Sequence, residues 1–178
     1  ARRRGAEPSR HPKLRIMTHE RVYPKTRDEG SPWILARRRL RAERMRRSLA
    51  EFVREAWSVL EPDVPLVWGP CLDAVCLHLE AVAVGTIKRL LINIPPGHAK
   101  STIASVMWPA WMWLRRPGWR LLTASYALDL AIRDTTLSRL LIESDWFQST
   151  FSPDWSFTSD QNAKSYYRNT AMGTRLAS

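Results

Sequence analysis

The stretch Leu90-Leu91-Ile92-Asn93-Ile94-Pro95-Pro96-Gly97-His98-Ala99-Lys100-Ser101-Thr102 constrains this chain more than any other. An apolar run of strand length enters a turn made of two prolines and a glycine. The turn delivers Lys-Ser-Thr to the start of a helical pattern. This is the layout of a phosphate-binding loop. The first N–H groups of a helix have no intrahelical partner, and the helix dipole favours negative charge at that end. A lysine at the helix mouth reaches the β- and γ-phosphates, and the hydroxyl after it ligates Mg²⁺. Against the pattern G-x-x-x-x-G-K-[ST], Ile94 replaces the first glycine and Ala99 the second. An ordinary strand–turn–helix junction with a solvated lysine fits the same local residue types.

The flanking patterns predict an α/β chain. Leu72, Val75, Cys76, Leu79, Val82 and Ala83 make one helical stripe, and Gly85 suits its end. A strand over 89–94 leads into the loop, and a helix follows from about Lys100. Pro109 should kink or end that helix, and Arg115-Arg116-Pro117-Gly118 should stop it. A short strand over 121–125 then completes a right-handed βαβ unit with parallel strands. Ligands sit at the carboxyl ends of such strands, so Ser125 and Tyr126 are expected on the same rim as Lys100. Residues 127–142 read as helix. Residues 151–160 read as irregular, and 164–171 with 174–177 as a hairpin about Met172-Gly173.

Charge is concentrated at one end. Residues 1–50 hold 16 Lys/Arg and 5 Asp/Glu, whereas residues 51–178 hold 12 of each, so the whole net charge of +11 lies in the first fifty positions. Residues 1–31 are basic, proline-punctuated and read as a disordered arm; either a polyanion-binding arm or a solvated tail fits them. Residues 32–62 read as one or two helices, basic at first and then amphipathic through Met45, Leu49, Phe52, Val53, Ala56 and Leu60. Ser48 and Glu51 have capping-box spacing, which predicts a fresh start there. Arg37, Arg38, Arg39 and Arg41 are candidates for DNA phosphates, or simply a solvated helix face. The two cysteines, Cys71 and Cys76, have neither C-x-x-C spacing nor a histidine cluster and read as free thiols. No apolar run reaches membrane-spanning length, and the basic N-terminus lacks the apolar middle of a secretory signal. The nine tryptophans, Trp108 and Trp111 among them, are expected in core packing before base stacking.

Pro95-Pro96-Gly97-His98-Ala99-Lys100-Ser101 resembles the degenerate ATP-binding loop of the large terminase subunits of tailed bacteriophages, the ATPases of the DNA-packaging motor. The resemblance extends to Leu72–Val82, Lys88–Ile94, Leu122-Thr123-Ala124-Ser125-Tyr126, Leu128–Ala131, Leu141–Phe147 and Thr170–Ala177, and so covers about residues 48–178. Many members carry Arg at the position of Gly97 and Gly at that of Ala99. It implies a P-loop NTPase fold of the ASCE/RecA-like kind, a three-layer sandwich on a parallel sheet, with residues 63–178 forming an incomplete ATPase domain. It implies ATP and Mg²⁺ as cofactors. Pro96, Gly97, His98, Ala99, Lys100, Ser101 and Thr102 would cradle the nucleotide, Lys100 would anchor phosphate and Ser101 would hold Mg²⁺. Arg139 and Arg133 become candidate arginine fingers, with solvated arginines as the plainer reading. Implied partners are double-stranded DNA, the small terminase subunit, the portal or procapsid, and further copies in a ring. The implied location is the cytoplasm of a bacterial host, from a phage or prophage gene.

A motor ATPase also needs an acid after an apolar strand, for Mg²⁺ and the attacking water. Glu143 follows Leu140-Leu141-Ile142, but those residues continue a helical stripe. Beyond Asp160 the sequence has no Asp or Glu. In the resembled family the acidic strand and the nuclease carboxylates come later, so the expectation is an N-terminal piece that binds nucleotide without efficient turnover and leaves apolar surface exposed. Two other readings stay open: a different P-loop ATPase such as a helicase, and a non-catalytic DNA- or partner-binding remnant working through the basic arm.

Overall fold

A computed structural model describes residues 31–178. The expected disordered arm lies outside them except for Ser31. The described chain is α/β, with six α-helices and one four-stranded mixed sheet. Helices α1 (Pro32–Arg47) and α2 (Leu49–Leu60) meet at Ser48. There the Ser48 hydroxyl accepts the N–H of Glu51 at 3.4 Å and starts α2 anew, as the capping spacing predicts. Helix α3 spans Pro70–Val84. After the loop, a π-helical segment (Thr102–Met107) runs directly into α4 (Trp108–Arg115). Strand β1 (Arg120–Thr123), α5 (Leu128–Glu143) and α6 (Asp145–Phe151) follow, then β2 (Phe157–Asn162), β3 (Tyr166–Asn169) and β4 (Thr174–Ala177).

The sheet order is β1-β4-β3-β2. Its one parallel pair is β1 with β4, Arg120 opposite Thr174 and Thr123 opposite Ala177. Strands β3 and β4 form the expected antiparallel hairpin. A Cβ on Gly173 would lie 2.1 Å from the Pro117 carbonyl oxygen, so glycine is required there by close approach. The Asn169 side chain staples the turn, donating to the Pro117 carbonyl at 2.9 Å and accepting the Gly173 N–H at 2.8 Å.

Three expectations are corrected. The sheet is mixed, not parallel throughout. The segment 151–160, read as irregular, contains the first part of β2. The expected strand 89–94 is extended but has no ladder: Leu90, Ile92 and Ile94 are half-buried, Leu91 and Asn93 are exposed, and none of its backbone groups pairs with another backbone group among the described residues. A period-two pattern makes one face apolar, but only a neighbouring chain with free N–H and C=O groups makes a strand. Strand β1 pairs instead with β4, so the expected βαβ pairing is not formed.

The core is one contiguous cluster to which every helix contributes. Phe52 and Phe147 are fully buried among Trp146 and Phe151, with ring centroids 5.1–6.4 Å apart. A second aromatic group, Trp113, Trp155, Phe157 and Tyr167, joins α4 to the sheet. Burying a side chain of this size contributes roughly 2–3 kcal/mol. Trp111 is fully buried and donates to the Met45 carbonyl at 2.8 Å, and Trp108 donates to Leu79 at 3.2 Å, so both serve packing. Arg46 ties α1 to the body through the carbonyls of Leu114 (3.1 Å) and Phe151 (2.8 Å). No helix among the described residues is long and apolar enough to cross a membrane.

Candidate functional site

The loop after the extended segment has an unusual backbone. Gly97 has φ 81° and Ala99 has φ 52°, both in the left-handed region. Two such residues either side of His98 curl the chain at the helix mouth, and loops that mix left- and right-handed residues are able to turn backbone N–H groups toward an anion. Helical geometry begins at Lys100, and the N–H of Ile103 bonds the Ala99 carbonyl at 2.9 Å. The amides just before Ile103 therefore open the helix without intrahelical partners. Ala99 tolerates its conformation at a strain that glycine would not carry.

The loop forms one wall of a cleft of about 630 Å³, lined by residues 95–102 together with Trp57, Glu61 and Val64. All seven loop residues expected at the site, 96–102, thus converge on one cleft. Lys100 is half-buried and makes no ion pair among the described residues. Among the described residues it is the one lysine or arginine lining the cleft, and Glu61 is the one carboxylate. His98 Nδ1 lies 3.1 Å from the Pro96 carbonyl. A carbonyl only accepts, so Nδ1 carries the proton and donates.

Behind the loop is a second, more apolar cleft of about 480 Å³, bounded by residues 64–69, Cys71, Leu72 and the other side of 97–99. Trp57 lines both clefts, its ring held by an N–H bond to the Val64 carbonyl at 2.8 Å. Trp68 is fixed from two sides: its N–H donates to Asp73 at 2.9 Å and the Arg54 guanidinium lies 4.1 Å from its ring centre.

Sequence reasoning did not single out Trp57, Glu61 or Val64. Trp57 falls off the apolar stripe of α2, and Glu61 caps that helix near a run of prolines. The available signal was that proline-broken link, which folds over the loop some forty residues later in the chain.

Other candidates lie elsewhere. Ser125 and Tyr126 do not line the cleft, because β1 is not paired to the segment before the loop, and Tyr126 is almost wholly exposed. Arg133 chelates Asp134 with Nε and Nη2 at 3.0 and 2.8 Å, and Arg139 bonds Glu143 at 2.9 Å while covering the Phe157 ring. Neither lines the cleft. Arg41 pairs with Glu55, whereas Arg37, Arg38 and Arg39 are exposed and form no ion pair among the described residues. Burial pushes the Cys76 thiol up to about 12, which makes it inert at neutral pH. No trio of metal-ligating side chains occurs among the described residues, so a cation here would need ligands from something bound.

No family model, curated protein or solved structure matches this chain.

Proposed function

We propose that the loop 95–102 binds the phosphates of Mg·ATP, and that the chain belongs to the ATPase part of a large terminase subunit, the motor that packages DNA into tailed bacteriophages. The observation that carries this reading is the backbone at Ala99. The position where the resembled family carries glycine adopts a glycine-like conformation, directly before a half-buried lysine at a helix mouth. Phosphate oxygens would meet the first amides of the helix and the Lys100 ammonium. The exposed Ser101 hydroxyl fits a Mg²⁺ whose other ligands come from the nucleotide, and the ion would neutralise phosphate charge. The adjoining apolar cleft, with the Trp57 ring as a shared wall, suits the base. The finer fold assignment, a P-loop sandwich of the ASCE/RecA-like kind, rests on this same loop and on the resemblance around it. A small terminase subunit, a portal and further copies in a ring are partners by that resemblance.

Glu61, at the end of α2, is the one carboxylate in the cleft among the described residues, and it does not follow a strand. The expectation is therefore nucleotide binding with little turnover. Calorimetric titration with Mg·ATP tests the reading: binding by the native chain, weakened at least tenfold by Lys100→Ala at unchanged melting temperature, supports it. Equal affinity of the two proteins would refute it.

A second reading rests on Arg37, Arg38 and Arg39, whose exposed guanidinium groups, in no ion pair among the described residues, suit DNA phosphates. It predicts salt-sensitive duplex binding that falls when the three are changed to Gln and is indifferent to Lys100→Ala. The two sites are separate, and both readings can hold together.

A further inference from the structure

The helix leaving the loop departs from α geometry within its first turns. Residues 102–107 wind as a π-helix, with the Trp108 N–H bonded to the Ile103 carbonyl five residues back. Pro109 explains part of this. It has no N–H for the Ser105 carbonyl four residues earlier, and its ring crowds that carbonyl. The Ser105 oxygen accepts a different donor, the Arg175 guanidinium, which arrives from β4. Arg175 is only 2% exposed despite its charge. Its Nε has no partner among the described residues, and Tyr167 of β3 and Asp134 of α5 are the titratable groups that face it. Burial lowers its pKa, and these two neighbours oppose the shift. A buried cation is costly unless opposite charge and hydrogen bonds compensate it, and the Ser105 carbonyl is the hydrogen-bond acceptor it finds here.

We infer that Arg175 is a positioning residue for the phosphate loop: with Pro109 it holds the π turn, and the π turn sets the direction in which Lys100 and Ser101 face. The inference rests on the phosphate-binding reading. Relaxing the segment to α geometry would wind the same residues tighter by about one residue's rotation, turning everything before it by about 100°. Lys100 and Ser101 stand at that upstream end, so both would swing away from the cleft.

Pro109→Ala is the decisive variant, because it restores the missing N–H and removes the ring. The expected result is a tenfold or greater loss of Mg·ATP affinity, while the melting temperature holds or rises, since alanine is the better helix residue. A purely structural role cannot weaken binding while stability increases. Arg175→Met should show a similar loss and Arg175→Lys should recover part of it. The Pro109→Ala/Arg175→Met double variant should lose no more than the worse single, because both changes collapse the same turn. Wild-type affinity in Pro109→Ala, or additive losses in the double variant, overturns the inference. Amide exchange over residues 102–110, measured without nucleotide, separates the failures. If the native chain does not bind Mg·ATP, the phosphate reading falls and the positioning role falls with it. If it binds, and Pro109→Ala leaves both exchange and affinity unchanged, only the positioning role falls.

Discussion

Changing Ala99 to glycine should stabilise this protein, which is the reverse of what glycine does in most structured positions. Ala99 sits at φ 52°. The left-handed region costs a residue with a Cβ roughly 1–2 kcal/mol. Ala99→Gly removes that strain but gives the unfolded chain more freedom, which costs roughly 0.4–1 kcal/mol. The difference is a gain of about 0.8 kcal/mol. For a domain of this size that raises the melting temperature by about 2–3 °C. Gly97 supplies the control. It has φ 81°, and an added Cβ would meet nothing within 4 Å, so Gly97→Ala isolates the backbone term from crowding. It should destabilise by about the same 0.8 kcal/mol, from the same two terms with signs reversed. Urea titration followed by circular dichroism measures both. Opposite signs at two positions two residues apart are hard to obtain from any other loop conformation. A loss of stability in Ala99→Gly, or a gain in Gly97→Ala, would refute the argument that this loop is curled by two left-handed residues.

Gly173→Ala should be far more damaging, because its Cβ would lie 2.1 Å from the Pro117 carbonyl and 2.7 Å from Asn169 Nδ2. Overpacking plus a broken Asn169 staple should cost about 3 kcal/mol in urea unfolding; a loss below ~1 kcal/mol would mean that the hairpin does not sit on the turn at Pro117. Alkaline pH should unfold the protein through Tyr167 and Cys76. Burial raises Tyr167 from 10.0 to about 12 and Cys76 from 9.0 to about 12. Each is held protonated by the fold, so its contribution is complete below the unfolded pKa and is lost as pH rises toward 12. Melting temperature should thus be insensitive to these groups up to pH 9 and decline above it. Cys76→Ala, which removes one of the two, should make the decline between pH 9 and 10 shallower, and an unchanged slope there would exclude the thiol.

The boundary between α1 and α2 was legible because capping is local: Ser48 and Glu51 lie three residues apart, and the Glu51 N–H donates to the Ser48 hydroxyl. The hairpin of β3 and β4 was legible for the same reason, and so was the seven-residue loop, since proline, glycine and lysine act through their own backbones and the next helical turn. What sequence by itself determined is therefore the local part, comprising helix stripes, caps, the turn at Met172-Gly173 and the lysine at a helix mouth.

Pairing and phase belonged to the tertiary structure. The run 89–94 has the alternation of a strand, yet a ladder needs a second chain, and β1 found its partner in β4 more than fifty residues later. Glu61 and Trp57 entered the cleft only because the link after α2 folds across the loop. Strand β4 makes the contrast sharpest. By polarity Arg175 should face water and Leu176 the core; instead Arg175 is 2% exposed and Leu176 42%. The reason lies seventy residues away, where Pro109 leaves the Ser105 carbonyl without its helical donor and a guanidinium takes that place. Local residue types fix what each segment can donate or accept, and only three-dimensional proximity decides which of those groups meet.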